Sequence, residues 1–187
     1  MLAKLLDVSL RNRMLVLASP DPRKNTALVF QALAEHGARF VLPPQVDVVC
    51  SHASAVAYVD EARQRFRAGD VRIVQGPDDQ ALSDSYAAAA VFVFPSRMEG
   101  FGLPPLEAMA SGCAVASSSA PPMPEILGDV PRWFDPDRPD QLAGAVASFL
   151  EDADARREAE RKGRLHAGKF TCRRMGAEMV EMWQAIA

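Results

Sequence analysis

One continuous segment combines a strand, a loop and the start of a helix: Val91-Phe92-Val93-Phe94-Pro95-Ser96-Arg97-Met98-Glu99-Gly100-Phe101-Gly102-Leu103-Pro104-Pro105-Leu106-Glu107-Ala108-Met109-Ala110-Ser111-Gly112. Its first four residues are apolar and predict a buried strand. Its last part predicts a helix opened by Pro104 or Pro105, because the fixed φ and missing N–H of proline cost nothing there. Two glycines lie in the loop between them, and small residues let a ligand approach the backbone closely.

The loop and the helix start together predict a site for an anion. The first N–H groups of a helix are unpaired, and they lie at the positive end of the helix dipole. Glu99 on the loop and Glu107 on the helix place a carboxylate on either side of this position. A ligand with an anionic middle and hydroxyl-rich ends suits this arrangement, and a nucleotide sugar has that shape.

The rest of the chain alternates between apolar strands and helices. Predicted strands are Met14 to Ala18, Val46 to Cys50, Val71 to Val74, Val91 to Phe94 and Cys113 to Ala116, with a short edge strand at 132–134. Asn25 or Thr26 is predicted to cap a first helix that ends at Gly37. Further helices are predicted over 53–68, from Asp78 or Asp79 to Ala89, and near 139–151, 153–167 and 172–186. This alternation implies an α/β domain with a doubly wound parallel sheet, and ligands of such sheets bind beyond the carboxyl ends of the strands.

The segment at 95–112 resembles the signature of the family-four glycosyltransferases, a large retaining group with the two-domain GT-B fold. Seven residues separate Glu99 from Glu107, as in that signature, and Ala108-Met109-Ala110 follows. The resemblance extends to Pro22-Arg23-Lys24-Asn25 and to residues 83–89, 124–129, 134–136 and 170–171. All of these matches lie in the C-terminal, donor-binding half of the family. The resemblance therefore implies a Rossmann-like nucleotide-sugar-binding domain over 14–187, one half of a GT-B glycosyltransferase, after a lead-in helix or linker at 1–13.

The resemblance also assigns roles to individual residues. It places Lys24 on the diphosphate, Glu107 on the ribose hydroxyls and Glu99 near the hydroxyls of the donor sugar, with Lys24 and Glu99 as the catalytic candidates. Contacts to sugar and phosphate oxygens are expected from the backbone N–H groups of Gly100, Phe101, Gly102 and Leu103. Other roles stay open at this point: a solvated surface lysine, a helix-surface glutamate, a loop carboxylate that caps the next helix, and a packed phenylalanine.

Two departures from the family pattern concern the donor. Many relatives carry an arginine six positions before the lysine, where this chain has Ala18. The segment from Ala18 to Asn25 looks most like relatives that also lack this arginine. Several of these relatives transfer mannose, so the resemblance makes mannose one candidate for the transferred hexose. The family's glycine after the second strand is replaced around Cys50-Ser51-His52, so the contacts to the base are left unassigned.

Composition narrows the class of protein. The 187 residues are 49% hydrophobic and 24% charged, as in ordinary globular domains, and the net charge of -3 gives no support for nucleic-acid binding. Cys50, Cys113 and Cys172 have no metal-ligand spacing and predict reduced thiols in a cytoplasmic protein, with contact at the inner face of the membrane left open. Asp135-Pro136-Asp137 reads as a turn rather than a metal motif. Neither a metal nor another cofactor is expected.

The implied reaction transfers a hexose from a nucleoside-diphosphate sugar to a saccharide or lipid acceptor, with the anomeric configuration retained. Nothing in the chain resembles the acceptor-binding half, so we expect an enzyme that is incomplete without an acceptor-binding domain or protein, or a homodimer. Apolar residues of the last predicted helix would then lack their usual cover: Met175, Met179, Met182, Trp183 and Ile186. The alternative is a non-catalytic nucleotide-sugar-binding module that acts with a partner protein.

Overall fold

A single sheet of six parallel strands organises the chain. The computed structural model describes residues 12–66, 71–171, 173, 176, 180, 181, 183 and 184. The strands are β1 Arg13–Ala18, β2 Gln45–Cys50, β3 Val71–Gln75, β4 Val91–Phe94, β5 Ala114–Ser118 and β6 Arg132–Phe134. The α-helices are α1 Ala27–His36, α2 Ala53–Phe66, α3 Asp79–Ala88, α4 Leu103–Ala110, α5 Met123–Leu127, α6 Pro139–Glu151 and α7 Ala153–Ala167, with short 3₁₀ turns at Pro22–Lys24 and Gly37–Arg39.

The strand order creates a reversal in the middle of the sheet. The order is β3-β2-β1-β4-β5-β6, and every neighbouring pair is parallel. Met14 of β1 is aligned with Val46 of β2 on one side and with Val91 of β4 on the other. The chain winds outward in opposite directions from β1 and β4, so the helices that follow these two strands pack on opposite faces of the sheet. Open α/β sheets bind ligands at such a reversal, beyond the carboxyl ends of the strands.

Both faces of the sheet are buried, which explains the unbroken apolar runs of the strands. On one face, Met14 and Val16 pack with Val91 and Val93 and with residues of α1, α2 and α6. On the other face, Leu15 packs with Phe92 and with residues of α3, α4 and α5. The alternation along β1 and β4 therefore divides the core into two layers, one on each side of the sheet.

The fold predicted from the sequence is confirmed, with local corrections. Thr26 precedes α1 but makes no side-chain cap bond, because its hydroxyl accepts from the N–H of Ser19 at 3.3 Å, and Asn25 does not cap the helix either. The helix of the signature segment begins at Leu103, ahead of both prolines, because Gly102 takes the N-cap position. The predicted end of α2 at residue 68 and residues 1–11 of the predicted lead-in at 1–13 lie outside the described residues. Arg13, the last residue of that lead-in, already belongs to β1.

The described residues after 171 are helical, as predicted for 172–186. Of the apolar residues predicted to lack cover, Trp183 is described and is 66% exposed. Met175, Met179, Met182 and Ile186 lie outside the described residues. No helix in the described part of the chain is both long and apolar enough to span a membrane.

Candidate functional site

Two loops meet at the carboxyl edge of the sheet, where the strand order reverses. One follows β1 and contains the 3₁₀ turn Pro22–Lys24. The other follows β4 and runs from Pro95 to Gly102, where α4 begins. The N–H of Arg97 donates to the carbonyl of Arg23 at 2.7 Å, so the two loops are joined through their backbones.

Lys24 and Glu99 form an ion pair across these loops. The Lys24 Nζ lies 2.8 Å from both carboxylate oxygens of Glu99. The Glu99 side chain is 11% exposed and that of Lys24 is 38% exposed. A partly solvated pair of this kind contributes about 0–1 kcal/mol to the free energy of unfolding. The lysine can therefore exchange this partner for a phosphate at little cost to the fold.

The neighbouring cation, Arg23, is engaged elsewhere. Asp21 caps the 3₁₀ turn by accepting from the N–H of Arg23 at 2.9 Å, and its carboxylate also pairs with the Arg23 guanidinium at 2.6 Å. These bonds to Arg23 lower the pKa of Asp21 to about 2. The Arg23 side chain is 65% exposed. Lys24, rather than Arg23, therefore provides the cation that contacts the signature loop (Pro95 to Gly102).

The two glycines of the loop differ in what surrounds them. A Cβ on Gly100 would meet no atom within 4 Å, so the space beside this residue is open. A Cβ on Gly102 would lie 2.5 Å from the Cε of Met123, and φ at Gly102 is +81°. The prediction that glycine leaves room for a ligand thus fits Gly100. At Gly102 the close neighbour is the protein itself.

The start of α4 offers few backbone donors of its own. Leu103 is its first residue, and the next two are Pro104 and Pro105, which have no N–H. Most of the N–H groups available to an anion must therefore come from the loop before the helix. The N–H groups predicted from the sequence to contact an anion belong to three loop residues, Gly100, Phe101 and Gly102, and to Leu103, the first residue of the helix.

Phe101 packs against another aromatic ring. Its ring lies edge-on to that of Phe170, with 6.1 Å between centroids, and Phe170 in turn contacts His166. His166 binds the carbonyl of Ile126 at 2.8 Å. Phe101 is nevertheless 43% exposed and Leu103 is 59% exposed. The loop therefore presents apolar side chains to solvent, and the contact between Phe101 and Phe170 joins it to the segment that follows α7.

Glu107, the second glutamate of the signature segment, lies in the second turn of α4 and contacts Tyr86. The Tyr86 hydroxyl donates to the Oε2 of Glu107 at 3.4 Å. Tyr86 is 1% exposed, and its ring packs edge-on against Phe92 at 5.2 Å. Burial, and then the charge of Glu107, raise the pKa of Tyr86, so its hydroxyl stays protonated and donates at neutral pH. The carboxylate of Glu107 is thereby held from one side while the residue remains exposed.

Sequence reasoning missed the partners that hold these side chains. Tyr86 lies in the segment 83–89 that resembles the family, but its spacing alone predicts only a core residue. Arg97 pairs with Asp137 on the loop after β6, which also could not be read from the sequence. Asp135 accepts from the N–H of Asp137 at 2.8 Å, so the predicted turn there is confirmed. Within the described ranges, no three His, Cys, Asp or Glu side chains are grouped to hold a metal ion.

The chain is similar to a known family and to curated proteins. The pattern of the family described as "Glycosyl transferases group 1" matches residues 4–166. The O-antigen chain mannosyltransferase B of Escherichia coli is 33% identical over 120 residues, which are 64% of this chain and 32% of that protein. The phosphatidyl-myo-inositol mannosyltransferase of Mycolicibacterium smegmatis is 28% identical over 174 residues, covering 89% of this chain and 43% of that protein. The chain thus spans less than half the length of these relatives.

Solved structures agree on the fold. The sucrose-phosphate synthase of Thermosynechococcus elongatus superposes with a TM-score of 0.81 at 22% identity, over all of this chain and 49% of that one. An Anabaena protein in complex with UDP and glucose gives a TM-score of 0.80 at 18% identity, over 98% of this chain and 51% of that one. At these identities the likeness shows a shared architecture.

Proposed function

The chain belongs to the group 1 glycosyl transferases, and on that basis we propose that it binds the nucleoside-diphosphate sugar of a retaining hexosyltransferase. In this proposal Lys24 contacts the diphosphate, Glu99 contacts the sugar and Glu107 contacts the ribose. The donor lies over the loops after β1 and β4, at the carboxyl edge of the sheet. The acceptor is a saccharide or a lipid.

The observation that carries this proposal is the contact between Lys24 and Glu99. A cation and a carboxylate from loops far apart in sequence meet at 2.8 Å, at the reversal of the strand order. A bound diphosphate would take over the lysine, and the carboxylate would then be free to accept hydrogen bonds from sugar hydroxyls. One ion pair thus supplies a group for each end of the sugar–phosphate linkage.

Stabilisation of the leaving group follows from the same geometry. Negative charge builds up on the diphosphate as the bond to the sugar breaks. Lys24 and the N–H groups of the loop from Gly100 to Leu103 are fixed donors for this charge. In the family the leaving diphosphate helps to deprotonate the acceptor, so no protein base is needed in this proposal.

Mannose is the proposed sugar. The relatives from Escherichia coli and Mycolicibacterium smegmatis are both named mannosyltransferases. Their names also mention an O-antigen chain and phosphatidyl-myo-inositol, which are a saccharide and a lipid. The segment from Ala18 to Asn25 supports the same sugar, through its resemblance to mannose-transferring members of the family. Competition between GDP-mannose and UDP-glucose for the chain would identify the donor.

Calorimetry with nucleoside diphosphates tests the site. We expect Lys24→Ala to weaken binding of the best diphosphate by about 1.5–3 kcal/mol, because a charge-assisted hydrogen bond is lost, and to leave the matching nucleoside unaffected. Arg23→Ala is the matched control. It also removes one positive charge, but from the neighbouring side chain, which is already paired with Asp21. Equal losses for nucleoside and diphosphate, or equal losses in both variants, would overturn the assignment of Lys24 to the phosphates.

A further inference from the structure

Asn25 joins three loops at the carboxyl edge of the sheet. Its side-chain Nδ2 donates to the carbonyl of Pro95 at 3.1 Å and to the carbonyl of Pro136 at 2.8 Å. Pro95 opens the loop after β4, and Pro136 lies in the loop after β6. Asn25 itself follows β1, so a single amide group connects the ends of three strands.

The conformation of Asn25 suits this residue type. Its backbone is left-handed, with φ 53° and ψ 31°. Asparagine enters this region more readily than most residues other than glycine. Its amide also carries two hydrogens and so can serve two carbonyls at once, whereas an ionised aspartate would turn an oxygen toward them. The position therefore requires a short side chain, a double donor and a tolerated positive φ.

Lys24 lies between two connections to the signature loop. On one side the carbonyl of Arg23 accepts from the N–H of Arg97, and on the other the Asn25 amide donates to Pro95. The backbone of Lys24 is thus fixed relative to the loop that carries Glu99. Arg97 also pairs with Asp137, which adds a second link to the loop after β6.

We propose that Asn25 is a positioning residue, which holds the Lys24 backbone at the distance from the signature loop that lets both contact one nucleotide sugar. This inference rests on the proposed donor site. A site held in its binding geometry before the ligand arrives loses less conformational freedom on binding. Without the Asn25 amide, the loop after β1 has fewer bonds to the signature loop. It would then have to become ordered when Lys24 binds the diphosphate, and this loss of conformational freedom would weaken binding.

The test compares two asparagines that each donate to a proline carbonyl. Asn25→Gly keeps the positive φ accessible and removes the amide. Asn12→Gly is the control, because the Nδ2 of Asn12 donates to the carbonyl of Pro43 at 2.7 Å, before β1 and thus at the opposite edge of the sheet. UDP and GDP are titrated into each protein by calorimetry, and uridine and guanosine by ligand-observed NMR. Thermal unfolding is recorded for both variants.

We expect Asn25→Gly to weaken binding of the preferred diphosphate about five- to tenfold, as lost hydrogen bonds of this class would. The nucleoside should bind as to the parent chain, and Asn12→Gly should bind both ligands unchanged. In the Lys24→Ala background, Asn25→Gly should cause no further loss, because its effect passes through the lysine. Such non-additivity would not arise from a general loss of stability.

Four results would overturn the inference. Unchanged diphosphate binding in Asn25→Gly, or an equal loss of nucleoside and diphosphate, would make Asn25 a purely structural residue while the donor site stands. Additive losses in the double variant would separate Asn25 from Lys24. If Lys24→Ala itself leaves diphosphate binding unchanged, the proposed donor site fails, and the positioning role of Asn25 fails with it.

Discussion

At the scale of single residues, buried and half-buried neighbours hold the proposed binding groups. Tyr86 is buried and donates to Glu107, and the half-buried Asn25 donates from the loop after β1 to the loops after β4 and β6. The groups proposed to contact ligand remain partly or wholly accessible, as Lys24 and Glu107 do. A hydrogen bond from the protein side can orient a charged group while the rest of that group stays accessible to a ligand.

Tyr86→Phe tests this support at Glu107. We expect binding of the preferred ribonucleoside diphosphate to weaken about three- to tenfold, because one hydrogen bond that orients the carboxylate is lost. The 2′,3′-dideoxy analogue lacks the hydroxyls that Glu107 is proposed to bind, so its affinity should not change. Calorimetry with both ligands gives the two values.

The chain's other tyrosine supplies the control for this prediction. Tyr58 lies on α2 and packs against the opposite layer of the core, so Tyr58→Phe should leave both affinities unchanged. In a Glu107→Ala background, Tyr86→Phe should have no further effect on the ribonucleotide. A drop in affinity for the dideoxy analogue as large as that for the ribonucleotide would contradict the ribose assignment.

At the scale of secondary-structure elements, the signature loop must turn sharply between β4 and α4. Gly102 makes this turn with a positive φ and lies against Met123, whose side chain is buried. A Cβ at this position would be strained by its backbone conformation and would also collide with the methionine. Gly100, three residues before the helix, has neither constraint.

Gly102→Ala and Gly100→Ala separate folding from binding. We expect Gly102→Ala to lower the free energy of unfolding by about 1–3 kcal/mol, from left-handed strain together with the contact to Met123. Gly100→Ala should change stability little but should weaken binding of the sugar nucleotide, because its methyl group occupies the open space beside the loop. Urea unfolding measures the first effect and calorimetry the second. Equal unfolding midpoints for the two variants would contradict the role given to Gly102.

The strands and most helices could be predicted from the sequence because their apolar runs are unbroken and glycine or proline marks their ends. The glutamates of the signature loop could be identified because their spacing is specific. Asn25 was one of two predicted helix caps, since asparagine is common at that position. The N-cap position falls on Thr26, and the Asn25 amide binds two other loops. The contact between Lys24 and Glu99 spans 75 positions, and no local pattern encodes which loops the sheet order will bring together.

At the scale of the whole molecule, the chain corresponds to only part of the length of its relatives. It spans 32% and 43% of two curated relatives and about half of the solved structures that it resembles. We propose that the acceptor is held by a second domain, a separate protein or a second copy of the chain. A nucleotide-sugar-binding module without transfer activity is the alternative, and it makes the same prediction for donor binding.

A transfer assay with the purified 187-residue chain tests this proposal. We expect donor binding but little or no sugar transfer. Holding both substrates in position can lower the activation barrier by roughly 7–11 kcal/mol, and in this proposal the chain alone does not position the acceptor. Adding an acceptor-binding protein should restore transfer if the chain is part of an enzyme. If the chain binds the donor but stays inactive after that addition, the non-catalytic nucleotide-sugar-binding module is favoured. Robust transfer by the chain alone would show that no second component is needed.

The reversal of the strand order also bears on how the site comes into being. Lys24 belongs to the half of the sheet built from β1 to β3, and Glu99 belongs to the half built from β4 to β6. Within the sheet the two halves meet along the β1–β4 pairing, through residues such as Val16 and Val93. During synthesis the lysine therefore emerges well before its partner. The site can form only when β4 and the loop after it lie beside β1. A bound nucleotide would then join the two halves of the sheet and oppose their separation.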